Sequence, residues 1–232
     1  MLGAAIQGVA SPEAVTAPAD FQNRLTDTLD DLEAAGAEGG LLIGVADVTL
    51  IPHLSAGAAY FDQEEAINQA GEELSPVWGS FTVDDSCAPD ADGLDTLVPF
   101  QYGFGELVSE AALNNDVTLN CAADERVLSE DEVELLATTV ADYNEFLQSE
   151  ADARGWAYVD PNPTFAELAG EGLIPPFPNI ADPADPFGPI FSLDGVHPSS
   201  ATHQLVTNEA IEAINDTYGT SLAPVDAPDF SE

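Results

Sequence analysis

A chain of 232 residues, 45% of them hydrophobic, can bury one substantial core, which excludes a wholly disordered polypeptide. Its 43 Asp and Glu residues stand against three cations, Arg24, Arg126 and Arg154, with no lysine, for a formal net charge of -40. Such a surface cannot neutralise phosphates, which excludes DNA, RNA and anionic membranes as partners and leaves solvent cations to gather around the acids.

In chain order, the segment from Met1 to Ser11 is small and apolar but has no positive start, so it makes a poor signal peptide. Any export address is expected upstream of Met1. Phe21, Leu25, Leu29 and Leu32 recur at helical spacing, and Gly36, Gly39 and Gly40 end the pattern. Leu41 to Val48 is a short apolar run between glycines and a proline, which predicts a strand buried on both faces. A helix followed by a buried strand points to an α/β layered fold.

From about 52 to 129 the periodicity fails, and Gly, Pro, Asp and Ser are frequent. The segment reads as a long irregular insertion over the core, with a short helix near Tyr60 to Gly71 and short strands near Trp78 to Val83. Trp78, Phe81, Phe100, Tyr102 and Phe104 read first as the private core of this insertion and second as a substrate wall. Cys87 and Cys121 fall in the same region, as one disulfide in an exported protein or two thiols in a cytosolic one. The disulfide is favoured, because a crosslink helps a segment with little regular structure.

Ser129 to Glu132 has the form of a capping box, and Val133, Leu136, Val140, Tyr143 and Leu147 then share one helical face up to Arg154. Trp156 to Asp160 reads as a second buried strand, and Thr164 to Ala169 as a short helix. Gly172 to Pro189 is loop by composition. Ser199 or Ser200 caps a last helix with Val206, Ala210, Ala213, Ile214 and Thr217 turned inward, and the tail over 222–232 is expected to fray. No apolar run is long enough to span a bilayer.

The chemistry gathers at Asp194-Gly195-Val196-His197. A carboxylate three residues before an imidazole can accept a bond from Nδ1–H within one turn, fixing the tautomer and leaving Nε2 free to take a proton from a nucleophile. With aspartate this abundant the spacing alone is weak, but the setting is more specific: the pair comes after a Pro/Gly loop and opens onto the final helix. His53 has two readings, a residue at the mouth of the site that touches substrate or a solvated loop histidine, and His203 reads as surface. In the acidic loop Asp84 to Asp95, setting Gly93 at the glycine position of an EF-hand puts Ala88 and Pro99 where ligands are required, so that motif fails. No zinc spacing, phosphate loop or dinucleotide fingerprint occurs, and no metal or cofactor is expected.

Asp194 to Pro198 before a C-terminal helix resembles the last sequence block of the SGNH/GDSL hydrolases, Asp-x-x-His often with proline next. Gly44 to Pro52 is similar to the end of a central strand in the exported bacterial lipase-like branch of that family. Leu2 to Ala5 is similar to the segment directly after the Gly-x-Asn-Asp block of that branch. The resemblance implies a flavodoxin-like three-layer α/β sandwich with a parallel sheet, in which His197 is the general base and Asp194 its orienting partner. It also implies that the Gly-Asp-Ser nucleophile, the oxyanion-hole residues and the first strands belong upstream of Met1, so that 1–232 is one incomplete domain. None of these blocks occurs in the chain, and no Gly-x-Ser-x-Gly elbow replaces them.

The expectation is therefore a secreted or cell-envelope serine-type hydrolase for small-molecule or lipid esters. The rivals are a non-catalytic remnant that only binds, and an acidic cation-binding exported protein. Because the acids are spread along apolar-periodic segments rather than gathered in one block, the surface reads as an adaptation to salt. The Debye length falls from about 30 Å at 0.01 M to roughly 3 Å at 1 M, which removes the long-range self-repulsion.

Overall fold

The computed structural model describes residues 1–182, 184–227 and 230. In chain order its elements are α1 (Leu2–Gln7), α2 (Pro18–Ala34), β1 (Leu41–Ile43), β2 (Leu54–Ala56), α3 (Gly57–Leu74), β3 (Ser80–Val83) and β4 (Leu97–Pro99). Then come α4 (Phe100–Tyr102), a π-helical turn (Gly103–Val108), α5 (Ser109–Ala111), β5 (Asp116–Leu119), α6 (Glu130–Arg154), β6 (Ala157–Val159), α7 (Asn162–Gly170) and α8 (Ser200–Tyr218). The molecule is mixed α/β, and the strands among the described residues form three two-stranded sheets.

Pro18 opens α2 at a position where its missing N–H is not needed. The capping box starts α6: the Glu132 carboxylate accepts the Ser129 N–H at 3.0 Å, and its other oxygen accepts the Ala10 N–H at 2.8 Å. One carboxylate thus caps a helix and ties the N-terminal segment to it. Phe21 of α2 stacks on Tyr143 of α6 with ring centroids 4.0 Å apart. Arg154, at the end of α6, draws in Asp30 at 2.5 Å, Glu33 at 3.4 Å and Glu150 at 2.5 Å, so one cation gathers three acids from two helices.

β1 and β6 pair in parallel, Leu41 opposite Ala157 and Ile43 opposite Val159, and both α6 and α8 pack on this pair. The sequence predicts a strand over 41–48, buried on both faces; only Leu41–Ile43 forms one, and Ile43 is 51% exposed. Past Gly44 two asparagines replace the ladder. Asn144 Oδ1 accepts the Val45 N–H at 2.6 Å, Asn162 Oδ1 accepts the Asp47 N–H at 2.7 Å, and both amides donate to the Val45 carbonyl.

Residues 52–129, expected to be irregular, hold an antiparallel pair (β2 with β4), a parallel pair (β3 with β5) and the 18-residue helix α3, which encloses the predicted 60–71. The periodicity is hidden because each strand is only three or four residues long and turns come at once. Tyr60, Phe81, Val98 and Leu119 form a core separate from that of Leu54, Leu128, Leu136, Phe187 and Ile190. Cys87 and Cys121 are joined in a disulfide inside that first core, their Cα atoms 5.1 Å apart. Closing a loop of 34 residues stabilises the fold by about 3–4 kcal/mol in the chain-entropy picture.

The tail is held rather than frayed where it is described. Asn215 Oδ1 accepts the Leu222 N–H at 2.7 Å and Asn208 Oδ1 accepts the Val225 N–H at 2.8 Å, two amides seven residues apart on one helical face. Residues 228, 229, 231 and 232 lie outside the described residues.

Candidate functional site

The Asp-x-x-His turn is built by a short bridge between Phe191 and Pro198, with the Ser192 N–H donating to the His197 carbonyl at 2.8 Å. Inside it, Asp194 Oδ1 accepts three bonds, from Ser192 Oγ at 2.6 Å and from the backbone N–H groups of Val196 and His197 at 2.9 Å each. Its other oxygen, Oδ2, lies 2.6 Å from His197 Nδ1. The carboxylate is thus fixed by its own turn before it meets the ring.

Gly195 makes the turn possible. Its φ of +66° is left-handed, and a Cβ there would approach the His53 nitrogen and the Phe187 ring to 3.0 Å. The chain passes that close because His53 N–H donates to the Gly195 carbonyl at 2.9 Å.

Partial burial pushes the Asp194 pKa up, but the bonds from Ser192, from the His197 backbone and ring, and from the Val196 backbone pull harder. Together they hold the carboxyl far below the usual carboxylate range. A carboxylate that stays ionised and accepts from Nδ1 assigns the ring proton to that nitrogen. Nε2 is left as the free base, on a side chain 74% exposed to solvent.

His53 fits neither of its sequence readings. It is buried at 8% exposure, with Nδ1 3.0 Å from the Asp194 backbone oxygen and Nε2 enclosed without a hydrogen-bond partner among the described residues. A carbonyl oxygen only accepts, so Nδ1 donates, and the ring supports the floor of the turn. It is not a wall of the adjacent cavity. His203 is exposed on α8.

Sequence reasoning missed Ser192, whose hydroxyl is the closest side-chain donor to Asp194 apart from His197; a serine two residues before the aspartate was the available signal. It also missed the cavity beside the turn, about 480 Å³, whose wall includes Leu193, the residue before Asp194. The aromatic residues of the insertion divide between the two roles considered. Phe81 and Tyr102 are interior, whereas Trp78, Phe100 and Phe104 line this cavity. A second depression, about 380 Å³, lies past the ends of β1 and β6. Its asparagines, Asn144 and Asn162, already serve the 44–47 backbone.

No hydroxyl among the described residues hydrogen-bonds His197 Nε2; the nearby Ser192 Oγ donates to Asp194 instead. Nor is any group of three or more His, Cys, Asp or Glu among the described residues arranged to hold a metal ion. Comparison with protein-family models, curated proteins and solved structures returns no match.

Proposed function

We propose that this chain carries the Asp–His half of a serine-type hydrolase for carboxylic esters, similar to the SGNH/GDSL hydrolases. The observation that carries the reading is the 2.6 Å contact between His197 Nδ1 and Asp194 Oδ2, on a ring whose other face is open to solvent. In this mechanism Nε2 takes the proton of a serine hydroxyl as its oxygen attacks the ester carbonyl carbon. The imidazolium, steadied by Asp194, then returns that proton to the departing alkoxide, leaving an acyl-serine that water hydrolyses by the same relay. The serine and the donors for the oxyanion come from a segment outside these residues.

The parallel pairing of β1 with β6, with α6 and α8 packed on it, supports a flavodoxin-like sandwich completed by further strands. The disulfide supports an oxidising, exported setting, and the charge supports a salt-rich one.

The test joins sequence and kinetics. Coding DNA upstream of Met1 should contain an in-frame Gly-Asp-Ser block and, after it, Gly-x-Asn-Asp. The protein expressed with it should cleave a short-chain nitrophenyl ester in molar salt, and His197→Ala should lower turnover at least about a hundredfold. Unchanged turnover in that variant refutes the role of His197. The chain alone should neither hydrolyse the ester above buffer nor be labelled by a serine-directed phosphonate. A non-catalytic remnant is the second reading, favoured by the lack of a hydroxyl on Nε2 among the described residues; upstream DNA without the serine block would select it.

A further inference from the structure

The cavity beside the Asp-x-x-His turn has a composition at odds with the rest of the molecule. In a chain with 43 acidic residues, its wall among the described residues contains no Asp, Glu, Lys, Arg or His. Ile67 and Leu74 of α3, Trp78, Phe104 and Val108 of the π-helical turn, and Leu193 are among its apolar wall residues. Its hydroxyls are already spent within the protein: Ser75 Oγ donates to the Ala112 carbonyl at 3.0 Å and Ser109 Oγ to the Phe104 carbonyl at 3.1 Å. Asn179 Oδ1 faces the Ala181 and Asp182 N–H groups at 3.2 and 3.3 Å. A ligand here finds apolar contact and little hydrogen bonding, which selects an uncharged hydrocarbon over sugars and nucleotides.

Two further observations tie the cavity to the turn. Leu193 is covalently next to Asp194 and stands 69% exposed at the cavity wall, while Leu74 on the same wall is 86% exposed. Leucines this open in so acidic a surface lack a covering partner within the described residues. Phe100, another wall residue, meets His53 edge-on with centroids 6.2 Å apart, and His53 holds the Asp194 backbone from below. The cavity and the imidazole therefore share one support.

We infer that this cavity binds the hydrocarbon chain of an uncharged ester, octyl or longer, with the ester carbonyl towards His197. The inference rests on the hydrolase reading for the direction in which the chain lies, but not for its binding. About 480 Å³ is within the roughly 300–1,000 Å³ of small-ligand sites, and a butyl chain would leave most of it unfilled. The carboxylate of a free fatty acid would be repelled by the surrounding acids, so the neutral ester binds and the ionised product leaves.

The experiment uses the chain as it stands, in molar salt, with Trp78 as reporter in the wall; Trp156, the other tryptophan, packs elsewhere, against Leu29 and Ala151. Butyl, hexyl and octyl 4-nitrophenyl ethers are uncleavable, neutral and quench tryptophan emission. Affinity should rise about fourfold for each added methylene. Ala70→Phe, which fills the cavity, and Leu193→Asp, which charges its wall, should each weaken the octyl ether at least about tenfold with an unchanged far-UV circular dichroism spectrum, whereas His197→Ala should bind it normally. Equal affinity for butyl and octyl ethers, or full binding by both wall variants, overturns the assignment. Either result leaves the proton chemistry of His197 untouched. Graded binding by a protein whose completed form fails to hydrolyse esters supports the cavity and sinks only the hydrolase.

Discussion

His53 Nδ1 donates to the backbone oxygen of Asp194 across 3.0 Å, so the residue whose carboxylate faces the imidazole of His197 is held through its main chain by a second, buried imidazole. The main chain repeats the tie: His53 N–H donates to the Gly195 carbonyl, and the His53 carbonyl accepts the Phe100 N–H at 2.7 Å. The turn is thereby clamped to the insertion that supplies the cavity wall.

His53→Leu removes the side-chain bond while filling similar space, and it leaves the Asp194 carbonyl short of a donor. We expect a loss of about 1–3 kcal/mol of stability in urea unfolding, together with a looser Asp194–His197 contact. His53→Gln, which can still donate, should recover part of the loss. Equal stability of the native and Leu forms would mean the tie contributes nothing.

The depressed pKa of Asp194 sets a sign for the pH dependence. Its folded value lies well below the ordinary 3.8, so the stabilisation is full above that value and fades as pH falls through the folded one. Asp194→Asn should therefore be less stable than the native protein at about pH 5, and the margin should shrink as pH falls below 3.8. Comparing the two proteins at each pH cancels the other acids. A margin that grows as pH falls below 3.8 would reverse the sign and refute the network around Asp194.

Salt dependence comes from the charge. Only three arginines offset 43 acids, and one of them, Arg154, is already committed to three carboxylates. Dialysis from molar to millimolar salt should lower the helical circular dichroism signal, through self-repulsion that is screened within roughly 3 Å at 1 M but reaches about 30 Å at 0.01 M. A spectrum indifferent to salt would assign the acidic surface another cause.

Much of the helical framework was legible because its signals are local. The Ser129–Glu132 box, the glycines after Ala34 and the serine before α8 mark helix ends by backbone chemistry that needs no tertiary partner. Asp194 and His197 were legible for the same reason, being three residues apart in one turn. Features that depend on distant chain were not. The strand after Gly39-Gly40 stops at Ile43 because Asn144 and Asn162, about a hundred residues away, take over its backbone. His53 is buried because Asp194, 141 residues on, lies over it. The cavity gathers α3, the π-helical turn, Pro178 to Ile180 and Pro186, which no periodicity joins.

The central claim is that Asp194 fixes the proton of His197 on Nδ1 and leaves Nε2 as the base. Two-dimensional proton–nitrogen NMR of the imidazole side chains, recorded in molar salt at alkaline pH, tests it directly. Neutral His197 is expected to be protonated on Nδ1, with a strongly downfield proton that disappears in Asp194→Ala. Protonation on Nε2, or a His197 spectrum that Asp194→Ala leaves unchanged, would contradict it.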